Sequence, residues 1–369
     1  MKRLLLAAVA LLVACAPTAS RGALEPFVER RPDPLRDQGA HRAPVEWWYL
    51  NAHLETKSGT KGIAAAIFQV YIPDNTPYNL ANLFPNALYF GHYSIVDKQN
   101  GLYQSAEYST VPRAKPEIAV GVGFADTKRM NVGLGDWRLE RLNNGVYTAK
   151  FSLKGKETIN LNMRPLRPEA IHGPGWSGNL ETGRMYYYSA TRLEISGTYN
   201  GESVGGIAWL DHQWGGGVGS DGGDGSASFA PRWDWMSMNL EDGRDIMIYR
   251  VRNEKGGISD RFASIVAPNG KTTEERDFEM QPWEWWESPS GGRYPVRWYI
   301  RLKDGTVLNV KPVVNAQEVE ARATAGFNYY EGAIAISGST RGVGYMELTG
   351  YTPMRNPFAN PLSFIEPTR

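Results

Sequence analysis

Residues 205–215 read Gly-Gly-Ile-Ala-Trp-Leu-Asp-His-Gln-Trp-Gly and are the best guide to the fold. A short apolar run that is bounded by glycines and ends in polar and aromatic residues predicts a β-strand. Because side chains alternate along a strand, Asp211 and Gln213 should lie on one face and His212 and Trp214 on the other. The strand therefore brings a carboxyl, an imidazole and indoles toward a folded interior.

Similar short segments continue on both sides, separated by Asn-Gly and Asp-Gly turn signals. Glycine (40), proline (23), tyrosine (19) and tryptophan (12) are abundant, which favours turns and aromatic-rich strands over helices. The sequence predicts an all-β protein of antiparallel strands. The predicted strands are 63–71, 91–96, 146–153, 184–196, 207–210, 245–250, 297–302 and 333–337.

A weak internal repeat indicates two domains. Trp47 and Trp233 are each followed seven residues later by Leu-Glu, and Tyr188 and Tyr329 are each followed seven residues later by Ile-Ser-Gly. Two β domains of similar plan that meet near residue 215 are the simplest explanation. Chance matching of a few residues is the alternative.

The N-terminus has the pattern of a targeting segment. Two basic residues precede an apolar run over 4–14, which is short for a membrane span and typical of a signal peptide. The run ends in Leu-Val-Ala-Cys, which resembles the site at which bacterial lipoproteins are cleaved and acylated on cysteine. We expect residues 1–14 to be a signal peptide and Cys15 to be lipidated. An ordinary signal peptide with an incidental cysteine is the alternative.

The expected chain organisation follows from these features. A proline-rich tether at 15–44 precedes an N-terminal β domain at 45–215 and a C-terminal β domain at 216–369. Export to a membrane-anchored position is expected, and in a Gram-negative source the outer membrane, facing the periplasm, is favoured. The anchor would be the acylated cysteine.

Composition excludes several function classes. Forty Lys and Arg against 39 Asp and Glu give a net charge of +1, so no strong field would attract nucleic acid. A single cysteine excludes internal disulfides and thiolate zinc clusters. The glycine-rich stretch 215–225 matches a dinucleotide fingerprint, but no helix-forming sequence follows it. No metal site is predicted, because the remaining histidines, His41, His53, His92 and His172, are scattered singly and only the fold could assemble them into a site.

Asp211 and His212 are the first candidates for chemistry. Burial beside aromatic rings raises the pKa of a carboxyl, which would let Asp211 donate a proton near neutral pH. Asp234, between Trp233 and Trp235, is the second candidate acid. A structural hydrogen bond between Asp211 and His212 at the domain junction is an equally weighted alternative.

Aromatic residues and acids also cluster elsewhere in the chain. A carboxyl flanked by indoles must reach solvent or find a partner, and a pocket of this composition suits an elongated apolar ligand. Ordinary core packing is the alternative for each cluster. The predicted ligand-binding residues are Glu46, Trp48, Tyr188, Trp214, Trp233 and Trp235.

Five segments together resemble the carotenoid 1,2-hydratase and AttH-like family: 46–49, 187–193, 206–215, 233–235 and 344–351. The resemblance implies two lipocalin-like β domains in tandem. Members of that family include hydratases that add water to an isoprenoid double bond, pericyclase relatives and lipoproteins described only as predicted secreted hydrolases.

For the residues, the resemblance implies protonation of an alkene by Asp211, stabilisation of the cation by aromatic faces, and a water positioned by His212, with Trp214 beside it. No cofactor is implied. The expected partner is an isoprenoid or lipid molecule. A non-enzymatic carrier of such molecules and a secreted ester hydrolase are the alternatives.

Overall fold

The computed structural model describes residues 22–72, 87–111, 118–153, 155–179, 182–216, 232–253 and 255–353. This part of the chain contains no α-helix and consists of 23 strands in two sheets. No helix with the length and apolar character needed to cross a membrane occurs among these residues. The all-β prediction is confirmed. Cys15, the signal peptide and most of the glycine-rich stretch lie outside the described residues.

The first sheet contains 13 strands. They are β1 (Val45–Thr56), β2 (Gly59–Tyr71), β3 (Ala87–Asp97), β4 (Leu102–Ser109), β5 (Ala119–Val120), β6 (Gly123–Ala125), β7 (Asn131–Leu134), β8 (Trp137–Arg141), β9 (Tyr147–Leu153), β10 (Lys156–Pro165), β11 (Ala170–Ser177), β12 (Met185–Tyr199) and β13 (Glu202–Gly215). Their order is β5-β4-β3-β2-β1-β13-β12-β10-β9-β8-β7-β6, and β11 pairs with β12. Only β4 and β5 run parallel within it.

The second sheet contains ten strands. They are β14 (Trp233–Leu240), β15 (Asp245–Arg252), β16 (Ile258–Val266), β17 (Thr272–Glu275), β18 (Glu279–Glu287), β19 (Arg293–Arg301), β20 (Val307–Pro312), β21 (Glu318–Val319), β22 (Tyr329–Gly338) and β23 (Gly342–Leu348). Their order is β17-β16-β15-β14-β23-β22-β20-β19-β18, and β21 pairs with β22. All eight strands predicted from the sequence overlap strands of these two sheets.

The two sheets give three buried layers. Each sheet curls around its own hydrophobic core, and a third cluster lies between the sheets. On β1, Trp48 and Leu50 pack into the first core, whereas Tyr49 packs into the layer between the sheets. On β14, Met236 faces the second core and Trp235 faces the shared layer. Strand alternation therefore supplies two buried faces from one strand.

The internal repeat corresponds to strands with equivalent positions in the two sheets. β1 lies between β2 and the last strand of its sheet, β13, and β14 lies between β15 and the last strand of its sheet, β23. The two repeated tryptophans, Trp47 and Trp233, stack on each other with ring centroids 6.4 Å apart. The segments that begin at Trp47 and Trp233 thus meet between the sheets.

Close pairing of β1 with β13 requires a glycine. Gly206 has φ +145°, and a Cβ at this position would lie 2.0 Å from the backbone oxygen of His53. No other residue fits that approach without displacing the backbone. The pairing fixes the register in which Glu46 lies opposite Trp214 and Trp48 opposite His212.

The described part of the predicted tether, residues 22–44, forms no strand but contacts the first sheet. Phe27 stacks on Tyr186 at 4.8 Å, and the Val28 N–H donates to the Tyr186 hydroxyl at 2.9 Å. Ala43 is buried beside the same rings. This segment therefore covers the first residues of β12 and the last residues of β13, where Tyr186 and Trp214 lie.

Candidate functional site

β13 presents two polar networks on its opposite faces. Asp211 and Trp209 point into the layer between the sheets, whereas His212 and Trp214 point to the other side. Within the described residues, no hydrogen bond joins Asp211 to His212. Because a strand separates them, His212 does not position a water for Asp211, and the expected joint action of the two residues does not fit this geometry.

Asp211 is held by three neutral donors. The Tyr187 hydroxyl donates to Oδ2 at 2.9 Å, the Trp209 indole N–H donates to Oδ1 at 2.6 Å, and the Ser189 hydroxyl also donates to Oδ1. The side chain is buried, and burial raises the pKa of Asp211 to about 7 despite these three hydrogen bonds. The carboxyl can therefore gain and lose a proton near neutral pH.

A histidine lies behind this carboxyl. Nε2 of His172 lies 2.6 Å from the Ser189 oxygen, and the His172 ring contacts that of Tyr187 at 4.2 Å. Burial lowers the pKa of His172 to about 3, so the ring is neutral. Since Ser189 gives its proton to Asp211, Nε2 of His172 must carry the hydrogen. Nδ1 is then a buried acceptor that has no hydrogen-bond partner among the described residues. The chain His172, Ser189, Asp211 is thus a directed row of hydrogen bonds.

Two glutamates from the second sheet enter the same layer. Glu331 on β22 and Glu347 on β23 are direct cross-strand neighbours. Burial, followed by repulsion from Glu347, raises the pKa of Glu331 well above its usual value. Burial also raises the pKa of Glu347 to about 7, with the Asp211 charge adding to it. The two neighbouring glutamates therefore resist being charged at the same time.

Aromatic side chains connect these carboxyls across the two sheets. The Tyr49 hydroxyl donates to Glu331 Oε1 at 2.7 Å, and the Trp233 indole N–H donates to Glu347. The Trp235 indole N–H donates to the Tyr187 hydroxyl at 3.0 Å. The donors to Asp211, Glu331 and Glu347 are thus hydroxyl and indole groups, and a ring contact between Tyr49 and Trp235 brings the Glu331 and Asp211 sets together. Within the described residues, the hydrogen-bond partners of these three carboxyls carry no positive charge.

The comparisons with known proteins agree with this architecture. The family model described as AttH-like matches residues 31–351. The chain belongs to the AttH-like family. The resemblance predicted from the sequence is confirmed, and with it the two lipocalin-like β domains.

Two solved structures show the similarity of fold. The crystal structure of a putative AttH protein from Nitrosomonas europaea is 28% identical, covers 89% of this chain and 100% of its own, and has a TM-score of 0.73. Kievitone hydratase from Nectria haematococca is 16% identical, with coverage of 88% and 99% and a TM-score of 0.60. A search of curated proteins finds no significant match.

The other predicted site residues of this AttH-like protein divide between several places. Trp233 and Trp235 lie in the layer between the sheets, as described above. Glu46, Trp48, Tyr188, His212 and Trp214 form a separate network on the opposite face of β13.

Asp234 lies on the second-core face of β14. Its Oδ2 accepts a hydrogen bond from Arg250 at 2.7 Å, its Oδ1 accepts one from Tyr351 at 2.7 Å, and Arg252 lies 3.6 Å away. A buried carboxylate held by two guanidinium groups is a structural ion pair. The structure therefore does not bring Asp234 together with the acids of the shared layer.

Sequence reasoning missed Glu331 and Glu347 as site residues, along with Tyr49, Tyr187 and His172. Glu347 lies in a segment that carries the family resemblance, which was the available signal for it. Glu331 had no local signal, because its significance comes from cross-strand pairing with Glu347 and from Tyr49, a residue 282 positions away. Only the packed sheets of this AttH-like protein bring these groups together.

Proposed function

We propose that this protein binds an elongated apolar molecule between its two sheets and adds water to a carbon–carbon double bond of that molecule by acid–base catalysis. The observation that carries the proposal is the meeting of Asp211, Glu331 and Glu347 in an aromatic layer, where their described partners are uncharged. Three buried carboxyls with uncharged partners would not stabilise the fold, because burial of a charge without compensation is costly. They are well suited to holding and moving a proton.

Glu331 is the proposed acid. Burial and repulsion from Glu347 raise its pKa well above the usual value, which favours the proton-donating form. Transfer of its proton to one alkene carbon forms a C–H bond and leaves a carbocation on the other carbon. Tyr49 and Trp235 pack edge to face in the same layer, with ring centroids 5.5 Å apart. The exposed π face of either ring would stabilise that positive charge.

Asp211 is the proposed base. A water molecule attacks the carbocation through its oxygen, and Asp211 accepts the proton that the water loses. The net result is addition of one water, and return of the proton from Asp211 to the Glu331 and Glu347 pair restores the starting state. Ser189 and His172 act as positioning residues, because their hydrogen bonds fix the orientation of the Asp211 carboxyl.

The hydratase name of one structural neighbour is in keeping with this reaction. Kievitone hydratase shares the fold, and by its name catalyses a hydration. At 16% identity the similarity supports the scaffold, and the reaction proposed for this chain depends on its own carboxyls.

An exported, lipid-anchored location is part of the proposal. Acylation of Cys15 would hold the protein at a membrane, the outer membrane facing the periplasm in a Gram-negative cell, where apolar substrates are concentrated. Metabolic labelling with a radioactive fatty acid tests the anchor. We expect label in the wild-type protein and none in Cys15→Ser, and label that persists in the variant would contradict the anchor.

The enzymatic proposal is tested in two steps. Mass spectrometry of the protein purified from its own host should identify a bound isoprenoid or lipid. That molecule, and squalene as a defined alkene, are then incubated with the protein in ¹⁸O-labelled water. We expect ¹⁸O in the product with wild-type protein, and at least a roughly hundredfold slower incorporation with Glu331→Gln or Asp211→Asn.

A matched control is Glu318→Gln, which changes a glutamate of the second sheet that bonds to Ser290 and Asn328. This variant should retain wild-type turnover. Full turnover in both Glu331→Gln and Asp211→Asn would remove the carboxyls from the mechanism. A bound ligand that never incorporates ¹⁸O would identify the protein as a carrier.

A further inference from the structure

The network on the other face of β13 contains two histidines and a glutamate in one place. His41 Nδ1 lies 2.9 Å from Glu46 Oε1, and His212 Nε2 lies 2.6 Å from the same oxygen. One ligand atom from each of these three residues lies within 4.8 Å of the other two. Two imidazoles and one carboxylate are a common donor set for zinc and related divalent ions.

The three side chains come from separate segments that the fold holds firmly. Glu46 is on β1 and His212 on the adjacent β13, where the register places Glu46 opposite Trp214. His41 comes from the segment that precedes β1, and its ring stacks on Trp214 at 4.1 Å with an interplanar angle of 2°. Glu46 and His212 are fully buried, and both histidine rings are packed against indoles.

The surrounding hydrogen bonds orient the donor atoms. Oε2 of Glu46 accepts the His41 backbone N–H at 2.7 Å and the Gln69 amide at 3.3 Å, so Oε1 is the oxygen that faces the two imidazoles. Nδ1 of His212 contacts the Tyr188 hydroxyl at 2.9 Å, which directs Nε2 toward Glu46. Outer partners of this kind are what hold metal-binding histidines and carboxylates in position.

The indole of Trp48 gives a further observation beside these three residues. The indole N–H of Trp48 is buried and has no hydrogen-bond partner in the part of the chain that the structure describes. Its ring stacks on His212 with centroids 5.1 Å apart. Buried N–H groups without an acceptor are rare in folded proteins. A water on a bound metal ion would be an acceptor in this neighbourhood.

We propose that His41, Glu46 and His212 bind one divalent transition-metal ion, with Zn²⁺ as the favoured ion. Ligands of a tetrahedral zinc ion with bonds of about 2.0–2.1 Å lie roughly 3.3 Å apart. Glu46 Oε1 would therefore move away from the imidazoles by less than about 1 Å, and the two imidazole nitrogens, which lie within 4.8 Å of each other, would move closer together. His41 would bind through Nδ1 and His212 through Nε2, and the His212 proton would move to Nδ1 and donate to Tyr188. Water would complete the coordination.

This site is distinct from the carboxyls between the sheets. Asp211, Glu331 and Glu347 face the shared layer, whereas the three proposed ligands lie on the opposite side of β13. A metal ion there would join the segment before β1 to both β1 and β13, and its role would be to hold that segment in place. The proposal therefore stands or falls independently of the hydration reaction.

Metal binding can be measured directly on the purified full chain without a polyhistidine tag. After treatment with a chelator and dialysis, the protein is titrated with Zn²⁺ by calorimetry, and bound metal is counted by elemental analysis. We expect one equivalent per chain and a melting temperature that rises with the Zn²⁺ concentration. Co²⁺ should give the visible absorption of a tetrahedral nitrogen and oxygen site.

His41→Ala is the decisive variant, because His41 lies outside the strands and its loss should leave the sheet intact. We expect at least a tenfold weaker Zn²⁺ affinity and no rise in melting temperature with Zn²⁺. His92→Gln is the matched control, since His92 is a buried histidine that bonds to Tyr329 and Thr324 instead. That control should bind Zn²⁺ as the wild type does.

Two results would overturn the proposal. One is the lack of saturable Zn²⁺ binding by the wild-type chain, which would make the three residues a hydrogen-bond network only. The other is unchanged Zn²⁺ affinity in His41→Ala, which would assign the bound ion to other residues. Circular dichroism of metal-free His41→Ala confirms that the comparison is made on folded protein.

Discussion

Asp211 is a buried carboxyl on β13, and Glu46 is a buried carboxyl on the adjacent strand, β1. Their pKa values nevertheless shift in opposite directions from the usual carboxyl values. Burial raises the pKa of both groups. For Asp211 burial prevails, because its donors are the neutral groups of Ser189, Trp209 and Tyr187. For Glu46, attraction to His41 and hydrogen bonds from His212 and His41 outweigh burial and lower the pKa.

Burial alone therefore does not decide the protonation or the chemistry of a carboxyl. A carboxylate beside imidazoles stays charged and binds its neighbours, as Glu46 does with His41 and His212. A carboxyl beside hydroxyl and indole groups exchanges its proton near neutral pH, as Asp211 does. One strand therefore supports a binding network on one face and a candidate catalytic site on the other.

The largest effect on stability should come from Glu46→Gln. The two oxygens of Glu46 together accept four hydrogen bonds, two on each oxygen. The substitution replaces one oxygen by an amide NH2, so two of these buried donors lose their acceptor. We expect a loss of about 3 kcal/mol in the free energy of unfolding, measured by urea denaturation of metal-free protein. If Glu46→Gln lowers the free energy of unfolding as little as Asp211→Asn does, the two networks contribute equally to stability, which would contradict this prediction.

Asp211→Asn should have the reverse profile. An asparagine can still accept from Trp209 and donate to a hydroxyl, so we expect a stability change of only about 1 kcal/mol. Catalysis should fall by a factor on the order of 100 or more, because an amide does not accept the proton of the attacking water. Parallel unfolding and ¹⁸O-incorporation measurements make the comparison. Strong destabilisation with normal turnover would assign Asp211 a structural role.

The next effect concerns pH. A carboxyl whose pKa is raised on folding binds its proton more tightly in the folded state, so stability is lost as the pH rises from its unfolded value toward its folded value. For Glu347 that window runs from 4.5 to about 7, and Glu331 extends it upward. The double variant Glu331→Gln, Glu347→Gln should therefore gain stability relative to wild type as the pH rises from about 4.5 to 8, by about 3 kcal/mol.

Thermal melting of both proteins across this pH range gives the comparison. A difference in melting temperature that stays constant with pH would contradict the raised pKa values of the glutamates. Glu318→Gln again serves as the control for a glutamate-to-glutamine change in the second sheet.

The smallest effect is expected from His172→Phe. The substitution removes the hydrogen bond to Ser189, but it also removes the unpartnered Nδ1, so the stability change should stay below about 1 kcal/mol. Turnover should fall only several-fold, with a shift of the pH profile near the pKa of Asp211, because Ser189 loses its orientation. His172→Gln, which can still donate to Ser189, should restore the profile. An unchanged pH profile in His172→Phe would exclude a positioning role.

Local patterns predicted a large part of the fold. The glycine-bounded run at 205–215 predicted β13, and its alternation predicted opposite faces for Asp211 and His212, as the structure has them. The spacing of Trp47 and Trp233 predicted two related segments, which are equivalent strands that meet between the sheets. These features depend on neighbouring residues only, so they are readable along the chain.

The composition of each polar network was not readable in this way. The aromatic context indicated Glu46, Asp211 and Asp234 as unusual acids, but their partners were unknown. Arginines compensate Asp234, histidines compensate Glu46, and no cation bonds Asp211 in the described residues. The partner decides the chemistry, and no local pattern names the partner.

The all-β class, the repeat and the faces of β13 follow from the sequence alone, because side-chain alternation and turn chemistry are local properties of the chain. The family follows from short sequence segments in the same way. The contact of Tyr49 with Glu331, 282 residues apart, is visible only in the folded protein. The same holds for the contact of His212 with Glu46, 166 residues apart. Such contacts arise from the pairing of distant strands and the packing of one sheet on another. Protonation follows from those contacts, since a carboxyl responds to the charges and hydrogen bonds that surround it in space.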